Sequence, residues 1–382
     1  MISHRPPLLA AALAALSWTA GACGSTVTPP RAGGIDPGAI PRIEPVRATA
    51  TLAHDPDDPA IWVHPDAPER SLILGTVKAA APDGGLAVFG LDGALRQFVK
   101  GIDRPNNVDV EYGLTLGART FDIAVVTERY VRRLRVFAIA ADGAGVSDLA
   151  QLPVLEGEAG EGGAPMGIAL YRRPQDGAIF AIVAPKTGPR DGYLWQYRLH
   201  DNGQGGLAAT RVRRFGQFSG AGEIEAIAVD DAEGHVYYAD EGDGIHKWHA
   251  DPEHPDAARA VAHFARDPFG GDREGIAIYG APGGGGYVIA TDQLPLDSRY
   301  RLYRRGGAEG RGNSSPAAVG IFSGGADSTD GIEATARSLG PEFPRGLFVA
   351  MNSRARNFLL FRWEDVEQAI ASRGPAPAGQ TP

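Results

Sequence analysis

Short runs of β-branched and aromatic residues recur along most of the chain, cut apart by Gly, Asp and Pro. Leu72–Val77, Leu86–Leu91, Phe121–Thr127, Arg135–Ile139, Ile179–Val183, Val236–Ala239 and Leu347–Met351 are examples. Apolar runs of this kind between turn-forming residues predict β-strands. A helical period is carried only by Trp363 to Ile370, near the C-terminal end.

The strands also repeat. A small residue followed by an apolar one opens a short strand at Ala60-Ile61-Trp62, Asn107-Val108-Asp109, Gly167-Ile168-Ala169, Ala226-Ile227-Ala228, Gly275-Ile276-Ala277 and Gly331-Ile332-Glu333. These anchors stand 47 to 60 residues apart, room for three or four strands in each unit. Six near-equal units predict an all-β fold, a six-bladed β-propeller. Small residues suit its innermost strands, which crowd around the axis. A sandwich needs no six copies, and βαβ units would show helices between the strands.

The position before each anchor is Pro59, Asn106, Met166, Glu225, Glu274 and Asp330. Three consecutive units thus place a carboxylate at one equivalent point, and Asp58 lies one residue further back in the first. In a propeller such positions ring one mouth of the channel. Packed carboxylates repel unless a cation lies between them. Several carboxylates with carbonyl oxygens suit a hard cation, Ca²⁺ best of all.

Composition narrows the chemistry. The 382 residues include 52 Gly, 29 Pro and one Cys, with a formal net charge of −9. One Cys excludes a disulfide scaffold, and the acidity argues against nucleic acid as a partner. No Arg-His-Gly run exists for a phosphohistidine route, and the lone Cys23 leaves no cysteinyl-phosphate route. The Gly-rich stretches 160–163 and 283–286 lack a following Gly-Lys-Ser/Thr and read as hairpin loops. Among nine His there is no His-Glu-x-x-His, and His246 and His249 read as structural.

Residues 1–22 read as a signal peptide, with His4 and Arg5, an apolar run from Leu8 to Leu16, and Ala20-Gly21-Ala22 before Cys23. That last tetrad is similar to a bacterial lipobox. The protein is therefore expected to be exported, as a cell-envelope lipoprotein of the periplasm or outer membrane, or as a secreted protein. Its only link to a membrane is an N-terminal lipid. Residues 23–43 read as a flexible tether, 44–372 as the propeller and 373–382 as a disordered tail. The chain is read as a monomer.

Asp57-Asp58-Pro59-Ala60-Ile61-Trp62 resembles the opening signature of the β-propeller phytases, or alkaline phytases. The resemblance continues through Gly85 to Phe89, Asn106-Asn107-Val108-Asp109, Asp272-Arg273-Glu274-Gly275, Thr329-Asp330-Gly331-Ile332 and Gly340 to Val349. It runs in family order from about Glu44 to Ile370. It implies a six-bladed propeller of the 3-phytase type, a phosphoric monoester hydrolase. Such an enzyme uses Ca²⁺ and metal-activated water to hydrolyse myo-inositol hexakisphosphate (phytate) to lower inositol phosphates and free phosphate.

By the same resemblance, Asp58 and the carbonyls of Pro59 and Val108 match a tight Ca²⁺ site. Glu225, Glu241, Asp272, Glu274, Gln293 and Asp330 match positions that ligate catalytic Ca²⁺ or orient the attacking water. Glu241, Asp330 and Glu225 are the expected catalytic residues, and Lys78, Arg129 and Lys186 match residues that hold substrate phosphates. The chain departs from the family pattern at Ala79, Met166, Thr187 and Gly324, where the family has Lys, Tyr, Glu and a calcium-binding Asp. Asp327 lies near enough to stand in for the last. Two other readings remain open from the residues alone: a metal-dependent lactonase or esterase on the same fold, and a non-catalytic envelope propeller that binds a ligand.

Overall fold

A computed structural model describes residues 40–306 and 317–371. The signal-peptide, Cys23 and tail readings fall outside these residues, and so does most of the tether.

Six four-stranded antiparallel sheets follow one another along the chain. Blade 1 comprises Pro56–Trp62, Leu72–Val77, Gly85–Gly90 and Leu95–Lys100. Blade 2 comprises Pro105–Leu116, Arg119–Glu128, Arg133–Ile139 and Val146–Pro153. Blade 3 comprises Pro165–Arg172, Ile179–Pro185, Asp191–Asp201 and Leu207–Gln217. Blade 4 comprises Ile227–Asp230, His235–Asp240, Gly244–His249 and Ala260–Phe264, and blade 5 Ile276–Gly280, Gly286–Asp292, Arg299–Arg304 and Gly320–Ser323. Blade 6 takes Ile332–Thr335, Leu347–Asn352 and Asn357–Arg362 from the end of the chain and its outermost strand, Arg47–Ala48, from the beginning. Each innermost strand contacts those of both neighbouring blades, so the sheets close into a ring. This is the six-bladed propeller that the repeat predicts, with each anchor in or immediately before an innermost strand.

Alternation of side chains along the strands explains how the blades adhere. In blade 3, Ile168 and Leu170 join one core with Ile123 and Val125 of blade 2. Ala169 and Tyr171 point the other way, into a core with Val236 and Tyr238 of blade 4. The same holds around the ring, giving one apolar cluster at each of the six blade interfaces. Both faces of the inner strands are therefore buried, and Leu72–Val77, Gly85–Gly90, Ile179–Pro185 and Leu347–Asn352 are buried along their whole length, whereas outermost strands such as Leu95–Lys100 are largely exposed.

Two boundaries differ from expectation. Residues 41–43, placed by sequence in the tether, bond to Ser323 of blade 5: Ser323 N donates to Pro41 O at 3.0 Å and Ile43 N to Ser323 O at 2.9 Å. Ile43 is buried there among the apolar residues of blades 5 and 6. Gly160–Gly163 is not a hairpin loop but a 3₁₀ turn linking blades 2 and 3, whereas 283–286 does lie in the first hairpin of blade 5. The predicted helix spans Trp363–Ala371. Trp363 stacks on Tyr279 of blade 5 at 3.6 Å between ring centroids, and Val366 and Ala369 bury the same face.

Candidate active site

The innermost strands enclose a cavity of about 440 Å³ on the axis, with Asp58, Asp109, Glu274 and Glu333 among its walls. Small anchors permit this closeness. A Cβ on Gly167 would stand 2.2 Å from the Glu225 carbonyl oxygen, and one on Gly331 would stand 2.2 Å from Asp58 Oδ1. The three innermost strands of blades 1 to 3 also share a register shift at their entrance, between Pro56 and Pro59, Pro105 and Val108, and Pro165 and Ile168. Such bulges re-aim side chains next to a site. Here Asp58 Oδ2 accepts from the Val108 backbone N–H at 3.0 Å, while Asp57 turns to Lys78.

The predicted ring assembles at this entrance. Lys78 Nζ pairs with Asp57 and lies 3.1 Å from Asp330 Oδ2. Gln293 Nε2 donates to Asp330 Oδ1 at 2.6 Å, and Asn106 Nδ2 donates to Glu225 Oε2 at 3.1 Å. Glu241 N donates to Glu223 O at 3.3 Å, and the side chains of Lys186 and Glu223 form an ion pair. Asp272 is tied in by its carbonyl oxygen, which accepts from Gln293 N at 3.0 Å. Arg129 stands in the turn after Glu128, its backbone N–H on the Arg104 carbonyl. No ion pair of its side chain occurs among the described residues, so it is not drawn into the cluster as the two lysines are.

Crowded acids in a poorly hydrated site resist ionisation. Burial, with Glu223 and Asp330 nearby and Lys78 opposing, pushes Glu225 up to about 7. Burial and the charges of Asp272, Glu223 and Asp240 push Glu241 up to about 7 as well. Glu274 is held well above the carboxylate range by burial and by Glu225, Glu241 and Asp330. Burial holds Asp57 and Asp58 well up too. Burial works against the Lys78 ammonium, but Asp57, Asp330 and Glu225 together hold it above its ordinary value.

The donor set fits a hard cation. Its oxygens come from Asp57, Asp58, Glu223, Glu225, Glu241, Glu274 and Asp330. Asp57 Oδ2, Glu223 Oε2 and Asn106 Oδ1 are buried without a hydrogen-bond partner among the described residues. Buried polar oxygens are ordinarily satisfied, and oxygen-rich sets of this kind are what Ca²⁺ requires. Asp58, Pro59 and Val108 are brought together on the wall of the axial cavity.

The family model described as Phytase matches residues 15–374. The chain belongs to the phytase family. It is 32% identical over 327 residues to the 3-phytase of Bacillus subtilis (strain 168), covering 82% of this chain and 81% of that protein. Among solved structures, the crystal structure of BBS1N in complex with ARL6DN, soaked with lead, aligns with a TM-score of 0.44 at 12% identity, over 83% of this chain and 97% of that one.

Two site residues of this phytase-family chain escape a reading of the anchors. Glu223 lies two residues before Glu225 with Ile224, fully buried, between them. The three residues precede the strand Ile227–Asp230, and Glu223 lies close enough to Glu225 to raise its pKa. Asp57 reaches the same cluster only through the bulge. The departures from the family pattern also acquire physical content. Met166 is buried and its carbonyl accepts from Thr127 Oγ1 at 2.8 Å. A Cβ on Gly324 would meet the Phe361 ring at 2.6 Å, so an Asp there needs that ring to move. Asp327 accepts from Arg354 N at 2.9 Å and faces its guanidinium.

Proposed function

We propose that this chain is a divalent-cation-dependent phosphatase that removes phosphate from phytate, with Ca²⁺ as its ion. The observation that carries the reading is the convergence of Asp57, Glu225, Glu241, Glu274 and Asp330 with Lys78 at one mouth of the channel. Asp57, Glu223, Glu225, Glu241, Asp272, Glu274, Gln293 and Asp330 would hold cations there, and Asp58 with the Pro59 and Val108 carbonyls would hold another. When bound, Ca²⁺ supplies positive charge that offsets the carboxylates and polarises phosphoryl oxygens.

The chain's own residues supply the rest. Glu241, held at about 7, is unprotonated above that pH and can take the proton of a water aimed at phosphorus. Gln293 fixes the orientation of Asp330 through its amide. Lys78 and Lys186 sit beside the mouth with carboxylate partners. With those carboxylates engaged by cations, both ammonium groups would be free for phosphate oxygens, and Arg129, in the turn after Glu128, would be a third phosphate donor. Charge on the equatorial oxygens of the transferring group is what such donors stabilise. A neutral ester would have no use for the Lys78 and Lys186 ammonium groups at this mouth.

The exported destination belongs to the same reading. Cleavage before Cys23 and lipid attachment there would tether the propeller to the cell envelope through the residues between Cys23 and Pro41. The deciding experiment is phosphate release from phytate by the full chain, with Ca²⁺ and then with a chelator. Release that stops with chelator and returns with Ca²⁺ is expected. Release of equal rate in chelator, or none in Ca²⁺, would sink the reading.

A further inference from the structure

Blade 4 carries a second group of side chains able to hold a metal ion, apart from the carboxylate mouth. Asp243 lies in the turn between His235–Asp240 and Gly244–His249. His246 lies in the second of those strands, directly opposite His263 of the outer strand Ala260–Phe264. Opposed residues on one face of an antiparallel pair stand close enough to share a ligand. One ligand atom from each of Asp243, His246 and His263 lies within 4.8 Å of the others.

A purely structural part suits His246 poorly. It is 2% exposed, and neither ring nitrogen has a hydrogen-bond partner among the described residues. Its ring is stacked between Tyr238, at 4.8 Å between centroids, and His263, at 4.0 Å. A buried imidazole without polar partners is the kind of exception that calls for a ligand. Burial pushes His246 down to about 3 and lowers His263 too, so both rings keep a free lone pair at neutral pH. His263 Nε2 stands 3.2 Å from the Asp243 carbonyl oxygen and 3.5 Å from its carboxylate. A cavity of about 330 Å³ opens onto all three residues, with Arg190 and Ser219 on its wall. Arg266, largely exposed, donates to Asp243 Oδ1 at 3.2 Å and has room to leave it.

We propose that Asp243, His246 and His263 form a binding site for a transition-metal ion of the Zn²⁺ type. Two imidazoles and one carboxylate suit Zn²⁺ and its borderline neighbours, whereas Ca²⁺ takes a larger shell of oxygens. The two rings lie 13° from parallel. Their lone pairs converge on one ion only when His263, the more exposed, turns about its side-chain bonds. Water fills the fourth position. Asp243 follows Glu241 by two residues in the same hairpin, so the ion ties the Glu241 turn to the outer edge of the blade. This site does not depend on the phosphatase reading.

The test uses the full chain in excess Ca²⁺, which occupies oxygen sites, titrated with Zn²⁺ by calorimetry and with Co²⁺ by visible absorption. One Zn²⁺ per chain and the d–d bands of nitrogen-ligated Co²⁺ are expected. His263→Ala and Asp243→Asn should each weaken Zn²⁺ binding at least about tenfold, with unchanged circular dichroism. His263→Gln, which keeps a polar group beside Asp243, repeats the loss independently of packing. His249→Ala, in the neighbouring stack of His249 on His254, should bind Zn²⁺ as the wild type does. Equal affinity in His263→Ala and wild type overturns the assignment. So does a loss confined to His249→Ala, or the absence of saturable Zn²⁺ binding.

Discussion

Replacing Glu225 by Gln should stabilise the chelated protein and weaken the Ca²⁺-loaded one. Glu225 is partly buried among Glu223, Asp330 and Glu274, and its carboxyl is held at about 7 against an ordinary 4.5. The folded chain therefore keeps a proton that the unfolded chain releases above 4.5. Stability from this group is present below that pH, drains away between 4.5 and 7, and is gone above 7. At 1.36 kcal/mol per pH unit, ionising Glu225 in the folded state at pH 8 costs on the order of 3 kcal/mol. Gln cannot ionise, and its Oε1 can still accept the bond from Asn106. In excess chelator at pH 8, Glu225→Gln should melt several degrees above wild type; at pH 4.5 the two should nearly coincide. With Ca²⁺ at about a thousand times its dissociation constant the order should reverse, because such an excess adds about 4.1 kcal/mol to the form that binds it, more than the ionisation costs. Melting curves in chelator across pH 4.5 to 8 decide the matter. Wild type and variant moving in parallel would refute the reasoning.

Glu241→Gln and Asp330→Asn should each abolish phosphate release from phytate while leaving the Ca²⁺-loaded melting temperature within a few degrees of wild type; more than a few percent of wild-type rate in either moves the chemistry elsewhere. Lys186→Ala should chiefly raise KM for phytate in steady-state assays, since it would remove the phosphate contact proposed for it, and a drop in kcat with KM unchanged would place Lys186 in the transition state instead. Wild type expressed in a bacterial host should fractionate with membranes and carry lipid mass on its N-terminal peptide, whereas Cys23→Ala should be soluble with phytate hydrolysis unchanged. An unmodified Cys23 thiol on a soluble wild type leaves simple secretion.

The propeller was legible because its closure demands something local and repeated. Every innermost strand must let a neighbour approach, so Gly or Ala recurs at the anchor, and the Cβ clashes at Gly167 and Gly331 are the reason. The acids one position earlier inherit that register and could be read as a ring. What lay off the register could not. Asp57 needs the bulge before Pro59, and its partner Lys78 also reaches Asp330, 252 residues away in sequence. Gly160–Gly163 looked like a hairpin because composition reports turning and not what the turn connects. His246 and His249 read as structural because they lie in a strand-like run with no His-Glu-x-x-His pairing. The partner that gives His246 a chemical meaning is His263, and only the cross-strand register supplies it.

The lysines at the mouth show why acid and base in this site act as one system. Lys78 is shared by Asp57 and Asp330, and Lys186 is held by Glu223. Two unit charges 4 Å apart attract by about 4 kcal/mol at an effective dielectric constant of 20, so neither lysine leaves its carboxylate for a phosphate without a substitute charge in its place. The chain as a whole carries −9 and repels a polyanion on approach. Cations held by the carboxylates would answer both difficulties together, by reversing the local sign and leaving the lysines free. Metal affinity and substrate affinity are then linked through the same ion pairs. Each must strengthen the other by the same factor, because binding free energies are reciprocal. Protons compete for Glu225 and Glu241 in the same range, near 7. Acidification should therefore weaken cation binding and, through the recaptured lysines, substrate binding as well.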